Sequence, residues 1–249
     1  MLNAPAWLTA RPIAHRGLHD KAKGVLENTP SAARAAIAHN FAIECDVQLT
    51  RDGEAMVFHD FTLHRLMLAK GRLSDHTAAE IGGFSYAAGP DRIITLAAHL
   101  ALIAGKVPLV CEIKSRFDAD MRLTDRVLEV AAGYNGPLAL KSFDPAIIAH
   151  LRRRACPRPL GIIALRIYDD PEWASLSSEA KYALSNFLHY NETRPDFLSY
   201  WVADLPSAVP MLCRAGLKMP VMTWTVRTPE QRAVARQWAD QMVFEGFVP

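Results

Sequence analysis

The sequence has little of what would set it apart from an ordinary globular protein. It has four cysteines, Cys45, Cys111, Cys156 and Cys213, widely spaced and with no Cys-x-x-Cys pair. That excludes a disulfide framework and a thiolate zinc site, and it fits reduced thiols in a cytoplasmic protein. Neither charge sign dominates: 28 basic against 26 acidic residues leave a formal charge of +2, so no broad field attracts nucleic acid or an anionic membrane. The densest basic run, Arg152-Arg153-Arg154, reads as a solvated helix end. No apolar run reaches the roughly 18 residues that a membrane span needs, so no stable membrane insertion is expected. The opening "MLNAPAWLTARPIAHRG" lacks the basic-then-apolar order of a cleaved signal. No repeat, low-complexity tract or linker divides the chain, and one domain over 1–249 is expected.

What is present is a core-forming composition, 50% hydrophobic over 249 residues, in which short apolar runs alternate with longer helical patterns. The pattern predicts strands near 12–15, 41–47, 107–113, 138–142, 160–165, 197–201, 220–226 and 241–245. It predicts helices over 30–39, 94–104, 119–132, 145–154, 171–185, 206–215 and 228–238. Thr29-Pro30 is a typical helix start, a capping hydroxyl followed by a proline whose missing N–H costs nothing in the first turn. Strand-helix alternation at this length favours a parallel (β/α)₈ (TIM) barrel over an open doubly wound sheet. One connection is out of proportion, 61–106, and is expected to form a small insertion over the barrel mouth. Its apolar residues Phe61, Leu63, Leu66, Met67 and Leu68 either pack beneath that insertion or face a lipid-like substrate.

The stretch "IECDVQLTRDGEAMVFHD", residues 43–60, concentrates the chemistry. Alternate strand residues share a face, so Glu44, Asp46 and Gln48 oppose Ile43, Cys45, Val47 and Leu49. Asp52-Gly53 predicts a two-residue hairpin pairing 51 with 54, which brings Asp46 opposite His59. In "VPLVCEIKS" a third acid, Glu112, shares a face with Lys114, and His15-Arg16 occupies the corresponding end of the first predicted strand. Acids and histidines converging on the C-terminal mouth of a barrel read as an active site. Like charges held close in low dielectric demand a counter-ion. Ion pairs of Glu44 or Asp46 with Arg16, and of Glu112 with Lys114, could meet that demand. One divalent cation held by three hard oxygen ligands also meets it, and these suit Mg²⁺ or Ca²⁺, with Mn²⁺ also acceptable, better than Zn²⁺. In "KSFDP", Lys141 and Phe143 alternate with Ser142, and the sequence does not say which face turns inward.

The ordered segments "AHRG", "LENTP", "IECDVQLTRDGEAMVFHD" and "CEIKS", continued by "LKSFDPAIIAHLRR" and "VMTWTVRTPEQ", resemble the glycerophosphodiester phosphodiesterase family across essentially the whole chain. The resemblance implies Glu44, Asp46 and Glu112 as metal ligands, His15 and His59 as the acid–base pair, and Arg16 and Lys114 as phosphoryl-binding cations. It implies Trp224 as a wall of the glycerol pocket. Glu27 and Asn28 match its motif as either substrate contacts or braces of the Arg16 loop. The implied reaction is metal-assisted cleavage of a small glycerophosphodiester to sn-glycerol 3-phosphate and an alcohol, with one histidine accepting a proton and the other protonating the leaving alkoxide. Attack by the neighbouring glycerol hydroxyl is favoured over direct attack by water. A lysophospholipase D-like or cyclising enzyme on the same barrel, and a non-catalytic phosphodiester-binding protein, are the alternatives. The chain departs from the family pattern at Arg227, at the ending "FEGFVP" and at "ITLAAHL".

Overall fold

The computed structural model describes residues 4–249. Nine strands form one sheet: β1 (Ile13–Ala14), β2 (Ala42–Leu49), β3 (Ala55–Val57), β4 (Leu109–Ile113), β5 (Leu138–Ser142), β6 (Leu160–Ala164), β7 (Phe197–Trp201), β8 (Val221–Val226) and β9 (Gln241–Phe244). Eight of them run parallel in the order β1-β9-β8-β7-β6-β5-β4-β2, and pairing of β1 with β2 closes the (β/α)₈ barrel. The ninth, β3, pairs antiparallel with the end of β2.

The helices are α1 (Pro30–Ala38), α2 (Ala78–Gly83), α3 (Leu96–Ile103), α4 (Arg122–Ala132), α5 (Pro145–Arg153), α6 (Ser178–Ser185), α7 (Tyr190–Thr193), α8 (Ala208–Ala215) and α9 (Pro229–Trp238). The Thr29 side chain caps α1 by accepting from Ala32 N, with Pro30 in the first turn. The single helix expected over 171–185 is instead a short 3₁₀ turn at Pro171–Trp173 followed by α6, whose start is fixed by the Ser177 cap. The short α7 before β7 has no counterpart among the predicted helices.

Alternation along the strands sorts the core into layers. Outward residues such as Ile43, Cys45, Val47, Leu109, Cys111, Leu138 and Leu140 pack against the helices. Inward residues at the N-terminal end of the barrel form a separate apolar floor of Ile13, Ala42, Val110, Ala139, Phe197, Met222 and Val243, plugged by Leu8. Gly161 on β6 leaves the space that Phe197 fills, since a Cβ there would lie 2.3 Å from the ring. Two residues further along these strands come His15, Glu44, Glu112, Lys141, Ser199, Trp224 and Glu245, so the floor ends where the polar layer begins.

The hairpin register differs from the predicted one. Leu49 pairs with Ala55, Gln48 with Met56 and Val47 with Val57, and Phe58 N donates to Asp46 O. The loop is therefore three residues, Arg51-Asp52-Gly53, with Gly53 at φ +84°. A left-handed glycine in third place converts the expected two-residue turn into a longer bulged one and slips the ladder by one residue. Asp46 lies opposite Phe58, and His59 reaches the mouth only because the chain leaves the ladder after Val57.

Residues 61–95 add α2 and a satellite apolar cluster in which Leu63, Leu66, Met67, Leu73, Ile81 and Tyr86 pack with Met56 and Phe58. Leu63, Leu66 and Met67 are thus buried, whereas Phe61 and Leu68 are exposed.

Candidate active site

The strands and the loop after β3 bring the expected residues together. Glu44 and Asp46 project inward from β2 and Glu112 from β4, and carboxylate oxygens of all three lie within 4.8 Å of one another. Lateral pairing dictates this arrangement, because Asp46 is in register with Glu112, and Glu112 with Lys141 of β5. All four side chains are buried.

Their charges are balanced by neighbours. Lys114 Nζ lies 2.6 Å from Glu112 Oε1 and 3.0 Å from Asp46 Oδ1. Arg16 Nε is 3.3 Å from Asp46 Oδ2. Lys141 Nζ is 3.1 Å from Glu44 Oε1 and 3.8 Å from Glu112 Oε2. Burial raises the Asp46 carboxyl, but Lys114, His59, Arg16 and the Asn28 amide together hold it well below the usual carboxylate range. Burial likewise opposes the charged forms of Arg16, Lys114 and Lys141, and the adjacent carboxylates outweigh it, leaving all three raised.

The Arg16 loop is shaped by strain. Arg16 and Asn28 both adopt φ of +56°, a costly conformation for residues with side chains and one that clusters at functional sites. It turns the Arg16 N–H toward Glu44 Oε2 at 3.1 Å and lets the Asn28 amide donate to Asp46 Oδ2 at 2.8 Å. Gly17, at φ +81°, lies so close to α1 that a Cβ would sit 2.8 Å from that of Ala32.

Each histidine has a carboxylate on Nδ1. His15 Nδ1 lies 2.7 Å from Glu245 Oε2, and His59 Nδ1 lies 2.7 Å from Asp60 Oδ1. A carboxylate there fixes the N–H on Nδ1 and leaves Nε2 for the reaction; His15 Nε2 is 3.9 Å from Glu44 Oε2. Gln48 holds the His59 backbone by donating to its carbonyl at 2.6 Å. Burial raises Glu245, yet His15 and Arg227 pull it down to about 2. Arg227 Nη2 lies 3.1 Å from Glu245 Oε2, so two of the departures from the family pattern meet each other beside His15.

Both Glu27 oxygens are taken by arginines: Arg16 Nη1 donates at 2.6 Å and Arg65 donates twice, at 2.7 and 2.8 Å. Arg65 also donates to both Asp60 oxygens, so an ion-pair ladder runs from Arg16 through Glu27, Arg65 and Asp60 to His59. Trp224 donates its indole N–H to Ser199 O at 3.1 Å and packs edge-on against Phe143 with centroids 5.5 Å apart. Phe143 continues through Trp173 to Phe117 and Tyr168, and a cavity of about 610 Å³ bounded by Phe117, Phe143 and Trp173 opens directly beside His59, Glu112 and Lys114.

Sequence reasoning left the facing of Lys141 and Phe143 open and missed Glu245, Asp60 and the contribution of Phe117 and Trp173 to the aromatic wall. The available signal for Lys141 was the small Ala139 between Leu138 and Leu140, which marks 139 and hence 141 as barrel-inward. Both proposed ways of balancing the acids are compatible with this geometry. The ion pairs are formed, and three oxygen ligands could also hold a hard cation. Glu44 Oε1 in particular is buried and has no directed hydrogen bond, its contact with Lys141 being one of charge. That oxygen and the all-oxygen donor set fit a divalent ion.

Comparison with known proteins agrees with this geometry. The model of the glycerophosphoryl diester phosphodiesterase family matches residues 15–247. The glycerophosphodiester phosphodiesterase of Caldanaerobacter subterraneus subsp. tengcongensis is 32% identical over 186 residues, 70% of this chain and 74% of that protein. Among solved structures, the glycerophosphodiester phosphodiesterase of Thermotoga maritima matches with a TM-score of 0.69 at 24% identity, over 93% of this chain and 92% of that one. An Oleispira antarctica phosphodiesterase, solved with the product sn-glycerol-3-phosphate, matches with a TM-score of 0.74 at 18% identity, over 94% and 91%. At these identities the two structures speak for the fold. The family model and the relative from Caldanaerobacter carry the further conclusion that this chain belongs to the glycerophosphoryl diester phosphodiesterase family.

Proposed function

We infer that the chain is a phosphoric diester hydrolase that cleaves glycerophosphodiesters to sn-glycerol 3-phosphate and an alcohol. The observation that carries this reading is the pair of histidines, each braced through Nδ1 by a carboxylate, beside a three-carboxylate cluster. Glu44, Asp46 and Glu112 would hold one divalent cation, Mg²⁺ or Ca²⁺, with Mn²⁺ as a substitute. Bound there, such an ion supplies positive charge at a phosphoryl oxygen and lowers the pKa of an attacking hydroxyl.

The chain's own groups divide the remaining work. Arg16 and Lys114, both at the edge of the cluster, bind the phosphoryl oxygens. Nε2 of one histidine takes the proton of the attacking hydroxyl, and Nε2 of the other gives one to the leaving alkoxide. Glu245 and Asp60 keep the rings oriented throughout. With both oxygens engaged, Glu27 acts as the brace of the Arg16 loop. Trp224 walls the glycerol end, and the aromatic cavity receives the leaving alcohol. Its apolar lining keeps a lysophospholipid substrate as a second reading. The chain acts as one catalytic domain, with 61–106 covering the mouth.

No described helix is long and apolar enough to cross a membrane. Four free cysteines, three of them buried, support a cytoplasmic setting. The test is choline release from glycerophosphocholine with added Mg²⁺ or Ca²⁺. Tight binding without turnover would instead make the chain a phosphodiester-binding protein. Comparing the 2-deoxyglycerol analogue separates the two routes of attack: only internal attack by the glycerol hydroxyl requires that group.

A further inference from the structure

Lys141 is the one member of the charged layer that the proposed reaction leaves without a role. It sits on β5 just above the apolar floor, with 3% of its surface exposed. Arg16 and Lys114 are more open, with side chains 16% and 13% exposed. The Lys141 ammonium faces inward to Glu44 Oε1 at 3.1 Å and Glu112 Oε2 at 3.8 Å. These are two of the three residues that could ligate a cation. Arg16, Lys114 and Lys141 set three positive charges against the three carboxylates, Arg16 being shared with Glu27, so each carboxylate of the cluster has a cationic neighbour with no metal bound.

We propose that Lys141 is a tethered competitor of the divalent cation, a built-in ammonium that neutralises Glu44 and Glu112 until a metal arrives and thereby sets how tightly the metal is held. Three carboxylates buried without counter-charge would repel one another and suffer the full cost of desolvation. Lys141 removes that cost, so the barrel can fold before it is loaded. The same fixed charge opposes an incoming dication at short range in a low-dielectric interior, which lowers its affinity. The ammonium and an incoming ion would meet the same oxygens, Glu44 Oε1 and Glu112 Oε2, so the two compete for one set of charges. Once a dication joins, the cluster carries a net positive charge suited to a phosphodiester anion. This proposal rests on the metal-dependent reading of the site.

The experiment is calorimetric titration of the purified full chain with Mg²⁺ and with Ca²⁺, for wild type, Lys141→Gln, Lys141→Met and Lys141→Arg. Gln and Met should bind both ions about tenfold or more tightly, as expected for removing one nearby charge, and Arg should stay near wild type. In a parallel melt, the gain in melting temperature on adding Mg²⁺ should be larger for Gln and Met than for wild type. A neutral variant that folds only with Mg²⁺ present supports the proposal, since the ion then replaces the ammonium. Neutral variants with unchanged or weaker ion binding, or that fail to fold even in Mg²⁺, overturn it. Wild type that binds neither ion would bring down the metal-dependent reading itself, a different outcome from wild type that binds and variants that do not differ.

Discussion

His99 offers a quantitative test of the packing, independent of the active site. It lies on the buried face of α3 with Leu96, Leu100 and Ile103, and neither ring nitrogen has a hydrogen-bond partner. Burial alone pushes its pKa down from 6.5 to about 4. The native state therefore holds His99 neutral while the unfolded chain protonates it, so its contribution to stability is present above the unfolded pKa and is lost as pH falls from there toward about 4. Taking the two pKa values through the linkage relation gives a loss of about 2 kcal/mol between roughly pH 7 and pH 5 from this residue. His99→Leu removes the titration and two unsatisfied nitrogens while keeping similar bulk, and should match or exceed wild type at neutral pH. Urea unfolding of both proteins across this range isolates the effect, because other titrating groups, His189 included, are common to both. The gap between the curves should widen by about 2 kcal/mol toward acid. Curves that run parallel within about 0.5 kcal/mol would refute the claim that His99 is buried and unpartnered.

Four further outcomes follow from the site. Exhaustive chelation should abolish turnover, and Mg²⁺, Mn²⁺ or Ca²⁺ should restore it; full activity after chelation would remove the metal from the mechanism. His15→Ala and His59→Ala should each lower the rate by about 10² to 10⁴ at saturating metal, and a smaller loss in a steady-state assay would exclude that histidine from proton transfer. Glu44→Gln, Asp46→Asn and Glu112→Gln should lose activity and still give a cooperative circular dichroism melt; loss of the fold in all three would mark the cluster as purely structural ion pairing. Gly17→Ala meets both a positive φ and a contact with Ala32 at 2.8 Å, so it should lower stability by about 2 kcal/mol or more in a denaturant titration, and an effect below about 0.5 kcal/mol would be inconsistent with that close approach.

The barrel was legible because its strand signals are the repeated short apolar runs of a buried parallel sheet and its helices begin at readable caps such as Thr29-Pro30 and Asp144-Pro145. Turn chemistry was less transparent. Asp52-Gly53 identified a hairpin but not its length, and only the backbone shows that Gly53 is the third loop residue rather than the second. A slip of one residue normally inverts which side chains face the core. Here Asp46 still faces the site because its orientation is fixed by β4, its parallel neighbour on the other edge.

The same distinction explains which site residues could be read. Glu44, Asp46 and Glu112 stand out because each is a charge within an apolar strand, a placement that local sequence makes conspicuous and physically costly. Lys141 is also a charge in a strand, but the acids it neutralises stand on β2 and β4, and the β4 and β5 segments are about thirty residues apart in sequence. Glu245 and Arg227 look like unrelated departures just past the ends of two separate strands until parallel pairing of β8 with β9 brings those ends together beside His15. What the linear sequence conceals is therefore lateral: it shows which residues are unusual along a strand and leaves to the closed barrel which of them neutralise one another across it. That is why the acids and the counter-charges Arg16 and Lys114, which lie near them in sequence or on the same strand face, were apparent first and Lys141 only afterward, although none of these charges could be buried without the others.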